Sequence, residues 1–103
     1  MEFKDKNGRI LKYGDVCKFG NGTVVDLLYE YDGESGKALG FNGTNPDWYE
    51  RNGYGYIDYY PIYDFDLEDI EVIGNIFENK EDARLLSDRC LRMAKIILGE
   101  EVL

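Results

Sequence analysis

Histidine is absent from the 103 residues. With it go the side chain that titrates nearest neutrality, the Ser-His and Cys-His nucleophile pairs, and the commonest transition-metal ligand. Only two cysteines occur, Cys17 and Cys90, and two isolated thiols cannot supply the four ligands of a structural zinc site. No run approaches the roughly 18 to 20 apolar residues that a membrane span needs. The opening Met1-Glu2-Phe3-Lys4-Asp5-Lys6 has neither a basic start nor an apolar stretch for export, so the expected location is the cytoplasm. There the cysteines are expected as buried thiols rather than a disulfide. Asn21-Gly22-Thr23 and Asn42-Gly43-Thr44 read as turns rather than glycosylation acceptors. Gly20-Asn21-Gly22 and Gly53-Tyr54-Gly55 lack the further glycine, or the Gly-Lys-Ser/Thr ending, of a phosphate-cradling loop.

Basic residues are also scarce, 12 Lys plus Arg against 21 Asp plus Glu, for a net charge of −9. The imbalance is local. Between Asp26 and Glu71 there are 12 acids and 2 bases, whereas the rest of the chain holds 9 acids and 10 bases. Direct contact with nucleic-acid phosphate needs Lys and Arg at the backbone and is excluded as an expectation. Mimicry of a nucleic acid meets a spacing problem. Alternate residues on a strand stand about 6.6 Å apart, while duplex DNA carries a charge about every 1.7 Å of axis, so one acidic strand is too sparse.

What is present suffices for a fold. At 44% hydrophobic and 15% aromatic the chain is too apolar for a disordered acidic tail, and its length suits one domain, residues 1–103, burying roughly 60 to 70% of its unfolded surface. Four Asn-Gly pairs, at 7–8, 21–22, 42–43 and 52–53, are hairpin signals. Between them lie strand candidates at Arg9 to Tyr13, Val16 to Phe19, Thr23 to Tyr31, Lys37 to Phe41, Tyr54 to Leu67 and Ile70 to Phe77. In the third, Val25, Leu27, Tyr29 and Tyr31 share one face while Asp26, Glu30 and Asp32 lie on the wet one, where Val24 and Leu28 break the pattern and imply a covering element. Pro61 marks an edge strand or an interruption. The loop from Asn42 to Gly53 carries the only tryptophan, Trp48.

The period then changes from two to about 3.6. Asn79 as N-cap, Asp82 three residues on, an apolar stripe of Leu86, Cys90, Met93, Ala94 and Ile97, and a stop at Gly99 predict a helix over about 80–98. The fold expected is mainly β, of the α+β class: a β-rich part over 1–77, built as a small twisted antiparallel sheet or an SH3-like, partly open barrel, with one C-terminal helix. Leu85, Leu91 and Ile96 widen the apolar face of that helix, which suits either a broad core contact or a second copy of the chain.

Carboxylates are the abundant reactive group, especially from Asp64 to Glu71. Counted from Asp64, the EF-hand places for glycine and glutamate hold Asp69 and Asn75, so that loop is not present. A looser oxygen cage for a divalent cation is the one metal option left. No catalytic residue, metal ligand or cofactor is assigned. Tyrosines are interleaved with the acids, and tyrosine favours interface cores because it buries area at low entropy cost. Asp47, Trp48, Tyr49, Glu50, Tyr54, Tyr56, Asp58 and Tyr60 are therefore the candidate protein-binding residues.

Two blocks resemble the YopX-like proteins of phages and prophages of Gram-positive bacteria: Phe3-Lys4-Asp5-Lys6-Asn7-Gly8-Arg9-Ile10-Leu11-Lys12-Tyr13-Gly14-Asp15-Val16 and Asp69-Ile70-Glu71-Val72-Ile73-Gly74-Asn75-Ile76-Phe77-Glu78-Asn79. The resemblance implies a small, mainly β protein with a barrel-like N-terminal part, and it transfers no catalytic residues. Where the family continues with a proline, glutamate and leucines, this chain has Lys80-Glu81-Asp82-Ala83-Arg84-Leu85-Leu86. The expectation is a non-enzymatic accessory protein in the host cytoplasm. It would bind a basic host or phage protein through the acidic, tyrosine-rich surface and inhibit a nucleic-acid-handling enzyme. The alternatives are a self-assembling or small-ligand-binding module, with homo-oligomer contacts at Leu85, Leu91 and Ile96, and, behind both, a divalent-dependent enzyme.

Overall fold

The computed structural model describes residues 2–33, 36–52 and 58–99. Asn21-Gly22 closes the first hairpin, with Gly22 at φ +89°, a region that glycine enters without steric cost. It joins β1 (Asp15–Phe19) to β2 (Val24–Asp26), with Cys17 opposite Val25 and Val16 opposite Asp26. On its other side β1 pairs antiparallel with β6 (Ile70–Asn75), Cys17 facing Val72, with a bulge between Val16 and Cys17. These strands make a three-stranded sheet in the order β2-β1-β6. A second antiparallel sheet has the order β3-β4-β5, from Tyr29–Gly33, Gly36–Asn42 and Tyr59–Pro61.

The first sheet is the middle layer. Its Cys17, Ile70 and Val72 side pack with Leu27, Phe41 and Ile62 toward the second sheet, while Val16 packs with Leu28, Ile76, Ala83, Leu86 and Ala94 beneath the C-terminal helical segment. Alternation on β1 thus feeds two cores from one strand. The predicted strand Thr23 to Tyr31 is divided. At Leu27 and Leu28 the chain passes from one sheet to the other: the Leu27 amide donates to the Asp15 carbonyl at 2.9 Å, and the Gly14 amide donates to the Leu27 carbonyl at 2.8 Å. Both leucines are buried, one in each core.

Three other expectations change. Arg9 to Tyr13 reduces to a single bridge between Lys4 and Ile10. Of the run from Tyr54 to Leu67, the described part holds only the three residues of β5; after Pro61 the chain turns into 3-10 segments at Ile62–Asp64 and Leu67–Asp69, because proline cannot extend the ladder. The helix predicted over 80–98 is two pieces, a 3-10 segment Lys80–Leu85 and an α-helix, α2, at Asp88–Leu98. Asp82 does not complete a capping box. Its Oδ2 accepts instead from the Asn75 amide at 3.0 Å, Leu86 is extended and buried, and Ser87 becomes the N-cap of α2. The architecture is α+β, two small twisted antiparallel sheets and a C-terminal helix, and among the described residues no closed barrel forms.

Segments 3–16 and 69–79 meet at the base of the first sheet. Buried Asp5 accepts from the Asn7 and Arg9 amides through Oδ1, at 2.9 and 2.8 Å, and from the Val72 amide through Oδ2 at 2.9 Å. Asn75 donates to Asp15 Oδ1 at 2.9 Å and to the Tyr13 carbonyl at 3.1 Å, while its own Oδ1 accepts from the Phe77 and Glu78 amides. Gly14, at φ +90°, lies under the Phe77 ring, where a Cβ would come within 2.3 Å of Cδ2.

Candidate functional site

The acids and tyrosines named from the sequence separate into three environments. Asp47, Trp48, Tyr49 and Glu50 form a short helix, α1 (Pro46–Arg51), within the segment expected as a loop. Asn45 caps it, Oδ1 accepting from the Asp47 amide at 2.9 Å, and Pro46 stands in the first turn, where its missing amide hydrogen costs nothing. Tyr49 is buried, which removes it from the contact surface. Asp47 and Glu50 are engaged within the molecule: Arg92 of α2 donates to Asp47 Oδ1 at 2.9 Å and to Glu50 Oε1 at 3.3 Å. Trp48 stays 43% exposed. Tyr54 and Tyr56 lie outside the described residues.

Asp58 and Tyr60 belong to a second environment. The Asp58 backbone is fastened to Thr44: its amide donates to Thr44 Oγ1 at 2.7 Å, and its carbonyl accepts from the Gly43 amide at 3.0 Å. The Tyr60 ring lies over Gly43, where a Cβ would come within 2.0 Å of it. From there the surface runs on through residues the sequence reading did not select. Asp58, Asp64, Asp66, Glu68 and Asp69 are all exposed, no base lies between Asp58 and Asp69, and among the described residues none of these carboxylates joins an ion pair. Tyr60 is 51% and Tyr63 62% exposed. On the outer face of the second sheet Tyr29 stacks on Tyr59, centroids 3.8 Å apart and planes within 5°, and Tyr31 tilts against both. Small Ala38 and Gly40 sit opposite Tyr31 and Tyr29 on β4 and leave room for these rings. Burial, with Tyr63, Tyr59 and Asp64 beside it, pushes the Tyr31 phenol up to about 12.

The third environment is a cleft of about 550 Å³ between the end of β2, the loop Asn42–Thr44 and the start of α2, with Leu86, Ser87, Cys90 and Met93 on the helical side. Asp26 lines it. This residue was expected on a wet face, but it is only 1% exposed, and neither carboxylate oxygen has a hydrogen-bond partner. Burial pushes its carboxyl up to about 7. The signal was present in the sequence. Val24, Asp26 and Leu28 share one parity, so the element that covers the two apolar residues covers the acid between them.

The apolar residues proposed for self-association do not share a surface. Leu85 is exposed at the cleft mouth, Leu91 packs against the helix-side core, and Ile96 lies beside Glu50, Arg92 and Lys95. Five helical positions separate Leu91 from Ile96, about 140° around the axis. Both cysteines are free thiols, Cys17 buried and Cys90 half-buried. Burial raises both thiols above the ordinary range, aided by Asp15 at Cys17 and by Asp26 at Cys90. Among the described residues no group of three acids or cysteines could hold a metal ion, and no helix is long and apolar enough to cross a membrane.

No family model, curated protein or solved structure matches the chain.

Proposed function

We propose that the protein is a non-enzymatic binding module that docks a basic partner protein on the strip from Asp58 to Asp69 and the adjoining tyrosine face of the second sheet. The observation that carries this reading is the strip itself: five exposed acids without a base, flanking exposed phenol rings that rest on glycine and on one another. Such rings bury area at low entropy cost, and unpaired carboxylates steer a cationic surface into contact. The YopX-like resemblance makes the partner a host or phage protein met in the host cytoplasm. Covering a cationic patch would inhibit a nucleic-acid-handling enzyme, whose substrate needs that same charge.

Affinity capture from host lysate at low and high salt tests the proposal, with the wild type beside Asp58→Lys and Tyr63→Ala. A partner retained at low salt, released at high salt and lost by both variants is the expected outcome. No partner at low salt, or a complex that survives both substitutions, overturns it.

A further inference from the structure

The cleft beside β2 holds a feature that the docking strip does not use. A carboxylic acid is sealed at its wall with both oxygens unpartnered, and a buried polar group without a partner carries an uncompensated desolvation cost, larger when charged. Such a group marks a place where the fold is incomplete by itself. Parity sets its direction. Asp26 shares the helix-facing side of β2 with Val24, whose neighbours include Leu86 and Cys90.

We propose that this cleft binds a small organic cation, an alkylguanidinium or alkylamine, whose head group pairs with Asp26 and whose chain lies along Val24, Leu86 and Met93. The chemistry follows from the two halves of the lining. Two free oxygens on one carboxylate match the paired N–H donors of a guanidinium, which form parallel charge-assisted bonds. The walls next to Asp26 are aliphatic and offer a saturated chain the burial that a pocket of a few hundred Å³ supplies. Thr44 and Ser87 also border the space, their hydroxyls held by the Asp58 backbone and the Cys90 amide.

The charged and titratable groups around Asp26 are few. Asp15 and Cys17 stand on β1, Tyr13 precedes that strand, and Arg89 and Cys90 face it from α2. Asp15 is already occupied by the Lys12 amide and Asn75. Arg89 is exposed at the mouth and makes no ion pair with Asp26, so the carboxylate is left for a ligand. Binding a cation demands the ionised acid. Affinity therefore rises with pH through the neutral range and levels off above it.

The test uses butylguanidinium, its neutral isostere butylurea and the anion pentanoate, followed by calorimetry and by amide shifts in the intact chain. Butylguanidinium is expected to saturate in the millimolar range or tighter at pH 8, to shift the amides of 23–26, 42–44 and 86–93, and to bind about a hundredfold more weakly at pH 5, where about 1% of the acid is ionised. Butylurea is expected to bind at least tenfold more weakly than the cation. Asp26→Asn should abolish both the preference for the cation and its pH dependence. Thr23→Trp, at an exposed position that lines the cleft, should weaken binding in a chain that folds normally. Asp58→Lys should leave it unchanged, which separates this site from the docking strip. Absence of saturable binding, equal affinity for butylurea, tighter binding of pentanoate, or undiminished binding by Asp26→Asn would each overturn the proposal.

Discussion

Two buried aspartates with opposite electrostatics stand some twenty residues apart. At Asp5 burial raises the carboxyl, but the amides of Val72, Arg9 and Asn7 outweigh it and hold the group below the ordinary range. Its stabilising contribution is present above the unfolded pKa and is lost as the pH falls. Asp5→Ala leaves three amides without their acceptor and should cost about 2–4 kcal/mol in denaturant unfolding at pH 7. Asp26 behaves in the reverse sense. A folded-state value near 7, against an ordinary 3.8, means the native chain holds an extra proton between those values, so stability falls as the pH rises through that window. The span corresponds to an upper bound on the order of 4 kcal/mol. Asp26→Asn is accordingly expected to flatten the pH dependence between pH 4 and 8 and to be more stable than wild type at pH 8. An unfolding series at several pH values, run on both proteins, decides this.

The helical segment shows how a local signal is spent by a distant partner. Asn79 does cap a turn, accepting from the Glu81 amide at 3.1 Å. The α-helix is started by Ser87 instead, whose Oγ accepts from the Cys90 amide at 3.3 Å. Ser87→Ala should therefore cost about 1 kcal/mol. Arg92→Ala, which severs α1 from α2 at exposed ion pairs, should change stability by no more than about 0.5 kcal/mol. Thermal melts of the two variants distinguish a true cap from a decorative bridge. The helix α1 is legible in the sequence: Asn45-Pro46-Asp47 is an N-cap, a first-turn proline and an acid in the first turn. The Asn-Gly pairs divide by context. Asn21-Gly22 closes a hairpin, Asn7-Gly8 a turn beside the Lys4–Ile10 bridge, and Asn42 instead ends β4, its Oδ1 accepting from the Thr44 amide at 3.0 Å.

Across the molecule the surplus charge is unevenly placed. Lys6, Arg9 and Lys12 answer Glu71 and Glu78 near the N-terminal base, whereas the acids from Asp58 to Asp69 join no ion pair among the described residues. Among the described residues Leu85, Leu91 and Ile96 are dispersed over different surroundings and do not form one apolar face. Light scattering is expected to return the mass of one chain, 11.9 kDa, and a concentration-dependent increase would show that another surface assembles it.

Composition and periodicity were enough to establish an acidic, β-rich unit followed by a helix, with one face of the Thr23 to Tyr31 segment covered by something apolar. They report which side of its own backbone a residue occupies, because that depends on neighbours two or four positions away. They do not report what lies across the gap. That Leu27 and Leu28 enter different cores, that Asp82 is diverted to Asn75, and that Asp26 ends up sealed beneath α2 all follow from contacts between segments remote in the chain. Such contacts form only when two sheets and a helix compete for the same buried surface.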